Sequence, residues 1–171
     1  FTFLSGSSFV FIDVYGVPTT QFGLVFTAMA GSFTIASGLV GRLGTRLPHE
    51  PIYVAAAAVA TLSAITAFAL TAFGWPNVFA LVGAMSLLSF AMGFMVPLGF
   101  ANAMAPHPEM AGTASALIGF VQSVFSAAMG ALVGVLFNGT GIPMFALIAL
   151  LTVGALVSFL AIRPPLAQST S

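Results

Sequence analysis

From Val78 to Met104 the chain passes no charged side chain, and the same holds for Phe22 to Val40, Ile52 to Phe73, Ala111 to Phe137 and Pro143 to Ile162. A hydrocarbon layer about 30 Å thick takes about 20 helical residues at about 1.5 Å each. Each run is therefore of a length to cross a bilayer as a helix. Composition leaves no other solvent: 60% of the residues are hydrophobic and 4% are charged, against about a quarter charged in soluble domains. So few ionic groups cannot cover the surface of a water-soluble body.

With the shorter run Phe1 to Ile12, the sequence predicts an all-α integral membrane protein of six transmembrane helices, the first truncated. The spans fall at 1–12, 22–40, 52–73, 78–104, 111–137 and 143–162, with a tail at 163–171. The breaks "DVYGVPTTQ", "GRLGTRLPHEP", "GWPN", "APHPE" and "NGTG" carry turn chemistry, and their brevity makes neighbouring helices antiparallel. The chain opens at Phe1 inside an apolar run and without an initiator Met, so it reads as a piece of something longer.

Charge orients the bundle. Arg42 and Arg46 lie in the second loop and Arg163 follows the last span, which puts all three on one side, cytoplasmic by the positive-inside rule. The first, third and fifth loops hold a single charge, Asp13. The expected location is the inner cell membrane, with a cytoplasmic C-terminus.

Several classes drop out. A net charge of zero with no basic run provides nothing to neutralise nucleic-acid phosphates. Cysteine is absent, which removes thiolate metal sites; His49 and His107 lack a second ligand at metal spacing, so no metal or other cofactor is expected. An intramembrane protease needs a nucleophile and base facing one another inside the bilayer, and both histidines sit in loops. No enzyme is expected.

In the fifth span small side chains recur at Gly112, Ala116, Gly119, Ser123, Ser126, Gly130 and Gly134, and in the second at Gly23, Thr27, Gly31, Thr34, Gly38 and Gly41. Spacings of three and four leave one helix face bare, which admits a neighbouring backbone closely where lipid supplies little hydrophobic drive. The face is either a rigid packing seam or a surface that moves. Both helices are the middle member of a triplet, which hints at a three-plus-three inverted repeat.

Gln122 places an amide inside the bilayer, where it needs an interhelical partner or faces a cavity. In the fourth span Ser86, Ser89 and Gly93 mark a small or polar face, and Met85, Met92 and Met95 another. Flexible, polarisable methionines suit either a core or a surface that accommodates varied ligands. Pro97 removes a backbone donor and is expected to kink this span. Glu109, at the start of the fifth span, caps that helix or latches onto Arg42 or Arg46. No Asp, Glu, Lys, Arg or His lies deep in any span, so a proton-carrying acid would belong outside this segment.

"AGTASALIGFVQ" after "ANAMAPHPEM", with "YGVPTTQFGLVF" and "GRLGTRL", resembles the C-terminal half of a major facilitator superfamily drug/proton antiporter of the Bcr/CflA multidrug-resistance type. Pro97, Asn102, Gly112, Ser115 and Gly119 fall on its motif positions. The resemblance implies half of a twelve-helix transporter in the lipid bilayer, partnered by a missing N-terminal six-helix half, exchanging a small drug-like molecule for protons by alternating access. It implies substrate-cavity residues among Gln122, Ser115, Ser89, Met85 and Met92, and packing or gating residues among Gly112, Gly119, Gly130, Gly134 and Pro97. The competing reading is a self-contained six-helix protein acting as a channel or assembly subunit.

Overall fold

A computed structural model describes residues 7, 9–43, 49–74, 77–104 and 111–162. A short π-helix, Phe9–Val14, is followed by five long helices: α1 (Thr19–Leu43), α2 (His49–Ala72), α3 (Val78–Met104), α4 (Ala111–Leu136) and α5 (Ile142–Ile162). All five are long and apolar enough to cross a membrane, and no strand occurs among the described residues. The first expected span is represented by the π-helix alone, since residues 1–6 and 8 lie outside the described set.

The helix ends follow local chemistry. α1 starts before the apolar run at Phe22 because Pro18, whose ring fixes a helix-compatible φ, has a carbonyl that accepts from the amides of Gln21 and Phe22 at 2.8 and 3.0 Å. Asn77 caps α3: its Oδ1 accepts from the amides of Phe79 and Ala80 at 3.0 and 3.4 Å, satisfying donors that no helical carbonyl reaches. Before α5, Asn138 accepts from the amide and hydroxyl of Thr140 at 3.2 and 2.6 Å, which closes the turn leading into that helix. Gly74 leaves α2 with φ at 67°, a left-handed conformation that costs a side chain with a Cβ. α3 runs unbroken through Pro97.

α3 is the centre of the bundle, packed against α1 on one side and α2 on another, while α2 also packs on α5. Leu81, Met85, Leu88, Ala91, Met95 and Leu98 give α3 its buried face. α2 contributes Ala56, Ala57, Ala60, Ala64 and Ala67, all buried. At spacings of three and four these alanines form a shallow stripe on which the partner helices sit close, by the small-residue packing usual in lipid.

The tightest approach is between α1 and α3. A Cβ added at Gly93 would stand 2.6 Å from both the Phe33 carbonyl oxygen and the Ala36 Cβ, so only glycine fits. The same crossing is tied by the Ser37 hydroxyl, which donates to the Gly93 carbonyl at 3.1 Å. Between α2 and α5, the Thr61 hydroxyl reaches the Thr152 carbonyl at 3.3 Å as well as the Ala57 carbonyl on its own helix at 2.8 Å. Most remaining hydroxyls, including Thr27, Thr34, Thr66 and Ser123, bond the carbonyl four residues back. A hydroxyl denied water is thereby satisfied locally.

α4 stands apart. Only 6% of its apolar window is buried, against 39% for α2, and it touches α3 and α5 lightly. A Cβ added at Gly112, Gly119 or Gly134 would meet nothing within 4 Å, and the same is true of Gly23, Gly31 and Gly38 on α1. At those positions the small faces of α1 and α4 meet no other helix among the described residues, whose close packing is carried by Gly93 and the α2 alanines.

Candidate functional site

Because α4 leans away from the bundle, two cavities open along its length. The first, about 510 Å³, lies between α1, α3 and α4; Phe26, Phe33, Thr34, Ser89, Met92 and Gln122 are among the residues on its walls. The second, about 720 Å³, lies between α2, α3 and α4 and is walled by Tyr53, Met95, Phe100, Leu117 and Phe125, among others. Met92, Val96 and Gln122 line both, so these three side chains are the partition between them. Both cavities are open to one side rather than enclosed, and Leu117, Val121 and Phe125 on the walls of the second are each more than half exposed.

The walls are apolar and uncharged. In the first cavity the polar groups are Thr34, whose hydroxyl donates to the Ala30 carbonyl at 2.8 Å, Ser89 and Gln122. In the second they are the Tyr53 phenol and, again, Gln122. The Gln122 side-chain amide makes no hydrogen bond among the described residues; its backbone carbonyl accepts from the Ser126 hydroxyl at 2.6 Å. Gln122 is exposed in this chain, so an amide with two donors and an acceptor unspent stands open where the two cavities meet.

The sequence-derived candidates separate into groups. Gln122, Met92 and Ser89 line the cavities. Met85 lines neither: it is fully buried in the core, two turns from Met92 along α3. Ser115 also lines neither, its hydroxyl donating to the Gly112 carbonyl at 2.9 Å. Pro97 and Gly130 are half-buried, and Gly112, Gly119 and Gly134 face open space. Arg42 is exposed in the last turn of α1; Arg46, Glu109 and Arg163 lie outside the described residues. Tyr53, Phe100 and Phe125 escaped the sequence reading, because an aromatic in an apolar span has no signature that separates a cavity wall from a lipid-facing surface. The one available signal was rarity, since the chain has only two tyrosines.

The described residues form an all-helical, multi-pass membrane bundle whose two open apolar cavities meet at a single amide. The chain is a homologue of membrane transporters. It is 34% identical over 168 residues to a bicyclomycin resistance protein homologue of Haemophilus influenzae, covering 92% of this chain and 38% of that protein. It is 27% identical over 160 residues to an uncharacterised MFS-type transporter, YdgK, of Bacillus subtilis, covering 93% of this chain and 39% of that one. A shorter match, 40% over 60 residues, links it to multidrug resistance protein D of Escherichia coli. The chain thus spans about two-fifths of the length of the first two relatives. No protein-family model matches it, and no solved structure matches significantly.

Proposed function

We propose that this chain forms the C-terminal half of a drug/proton antiporter, which exports drug-like or small amphipathic solutes in exchange for protons by alternating access. The observation that carries the reading is Gln122: an unpaired amide at the shared wall of two uncharged cavities, suited to hydrogen-bond a solute whose remaining surface is apolar. The bicyclomycin-resistance and multidrug-resistance names of its relatives support the same solute class.

The bare faces of α1 and α4 support a second half. Gly112, Gly119 and Gly134 have room for a backbone to approach, and such a face tolerates sliding because it presents no knobs to interlock. The coupling acid belongs to that other half, since no ionisable side chain lies deep in the spans of this one. In this reading the Arg42 end of the bundle faces the cytoplasm of an inner membrane.

The test is Gly119→Leu in the complete gene product. Efflux of a fluorescent drug from cells is expected to fall to background while the protein reaches the membrane in normal amount. Normal efflux from that variant would remove the seam from the mechanism.

A further inference from the structure

We propose that the 720 Å³ cavity between α2, α3 and α4 is a second solute-binding subsite, distinct from the α1/α3/α4 cavity, which takes a neutral aromatic molecule bearing one hydrogen-bonding group, with Tyr53 as its polar anchor. The cavity sits toward the end of the bundle that carries Arg42 and Glu50, since Tyr53 lies in the first turns of α2, Phe100 in the last turns of α3 and Leu117 near the start of α4.

Tyr53 is held for this purpose. Its ring stacks on Phe159 of α5 with centroids 4.5 Å apart and planes inclined by 31°. On the α3 side, a Cβ at Gly99 would stand 4.0 Å from the Tyr53 Cε2. The ring is thereby held against α5, with room left beside it at Gly99, and its hydroxyl makes no hydrogen bond among the described residues. A phenol fixed by its ring but unspent at its oxygen is pre-organised to bond a ligand, because little rotamer freedom remains to be lost.

The walls select the ligand. No charged side chain lines the cavity, so a permanent cation would have only the aromatic faces of Tyr53, Phe100 and Phe125 to offset its lost hydration. Met92, Met95, Phe100 and Phe125 present polarisable and aromatic surface, suited to a flat ring system. Gln122 on the partition offers a second hydrogen-bonding group, and a turn of the flexible Met92 side chain is the structural change that would join the two cavities. The subsite's part in transport rests on the transporter reading; its occupancy does not.

The experiment uses thiol protection in the complete gene product, made otherwise free of cysteine and held in lipid nanodiscs. Gly99→Cys and, should that variant fold poorly, Ala103→Cys report on the subsite, and Ala30→Cys on the other cavity; all three positions line their cavities. N-phenyl-1-naphthylamine, neutral with a single N–H, is expected to slow N-ethylmaleimide alkylation at position 99 or 103 at least fivefold. Phenyltrimethylammonium, held by the aromatic faces alone, is expected to slow it less than about twofold. Tyr53→Phe is expected to raise the half-protecting concentration of the naphthylamine about fivefold, the effect of losing one hydrogen bond.

Protection at position 30 alone overturns the subsite and leaves the transport reading standing; protection at neither cavity overturns both. Equal protection in Tyr53→Phe overturns the anchor. A thiol at position 99 that is inert in nanodiscs without probe, yet reactive in detergent, identifies a lipid acyl chain as the occupant and also overturns the proposal.

Discussion

Gly93→Ala is the sharpest available test of how this bundle is held together. The new methyl would stand 2.6 Å from a backbone oxygen and from the Ala36 Cβ, where ordinary contact begins at 3.4 Å. The difference, 3.4 − 2.6, requires α1 and α3 to part by about 0.8 Å, since a carbonyl within a helix cannot swing aside as a flexible side chain does. Overpacking of this kind costs about 1–3 kcal/mol. The same displacement stretches the 3.1 Å bond from Ser37 to Gly93, a membrane interhelical hydrogen bond worth about 0.6 kcal/mol. Against this, alanine is favoured over glycine in a helix by up to about 1 kcal/mol. The net expectation is a loss of about 1–3 kcal/mol, read from reversible unfolding in mixed micelles as denaturing detergent is added. Gly119→Ala, where nothing lies within 4 Å, is the control and should be neutral or slightly stabilising. Equal stability of Gly93→Ala and the parent, within about 0.5 kcal/mol, would refute the α1/α3 crossing as described.

The other expectations concern local devices and topology. Asn77→Ala removes the acceptor for the amides of Phe79 and Ala80 and should lower stability by about 1 kcal/mol in the same unfolding assay. Gly74→Ala forces a Cβ into a backbone with φ at 67° and should cost about 1–2 kcal/mol, seen as an earlier thermal loss of helix signal by circular dichroism. Thiols introduced at positions 42 and 163 should react with a membrane-impermeant maleimide from the same side of sealed vesicles. Reaction from opposite sides would overturn the alternation of spans.

The helices themselves were legible because lipid imposes a length rule on any apolar run, and the breaks between them because Asn, Gly and Pro have narrow backbone roles. Gln122 was equally visible: one amide in an uncharged span is conspicuous wherever it points. Glycine spacing was less informative. The fifth apolar segment has the longest run of small residues, yet in α4 a side chain added at Gly112, Gly119 or Gly134 would meet nothing among the described residues. The crossing that excludes a side chain uses a lone glycine, Gly93, set among methionines and phenylalanines.

Sequence alone therefore determined the solvent of this protein and the number and rough extent of its long helices, since each follows from the identity of residues along one helix. Tertiary structure decided which small faces are occupied, that Met85 is core while Met92 is wall, and that Tyr53 and Gln122 look into one cavity. Those outcomes depend on the depth and rotation of one helix against another. In a bilayer that placement is set by the fit of side chains between helices rather than by hydrophobicity, which is nearly uniform along all of them.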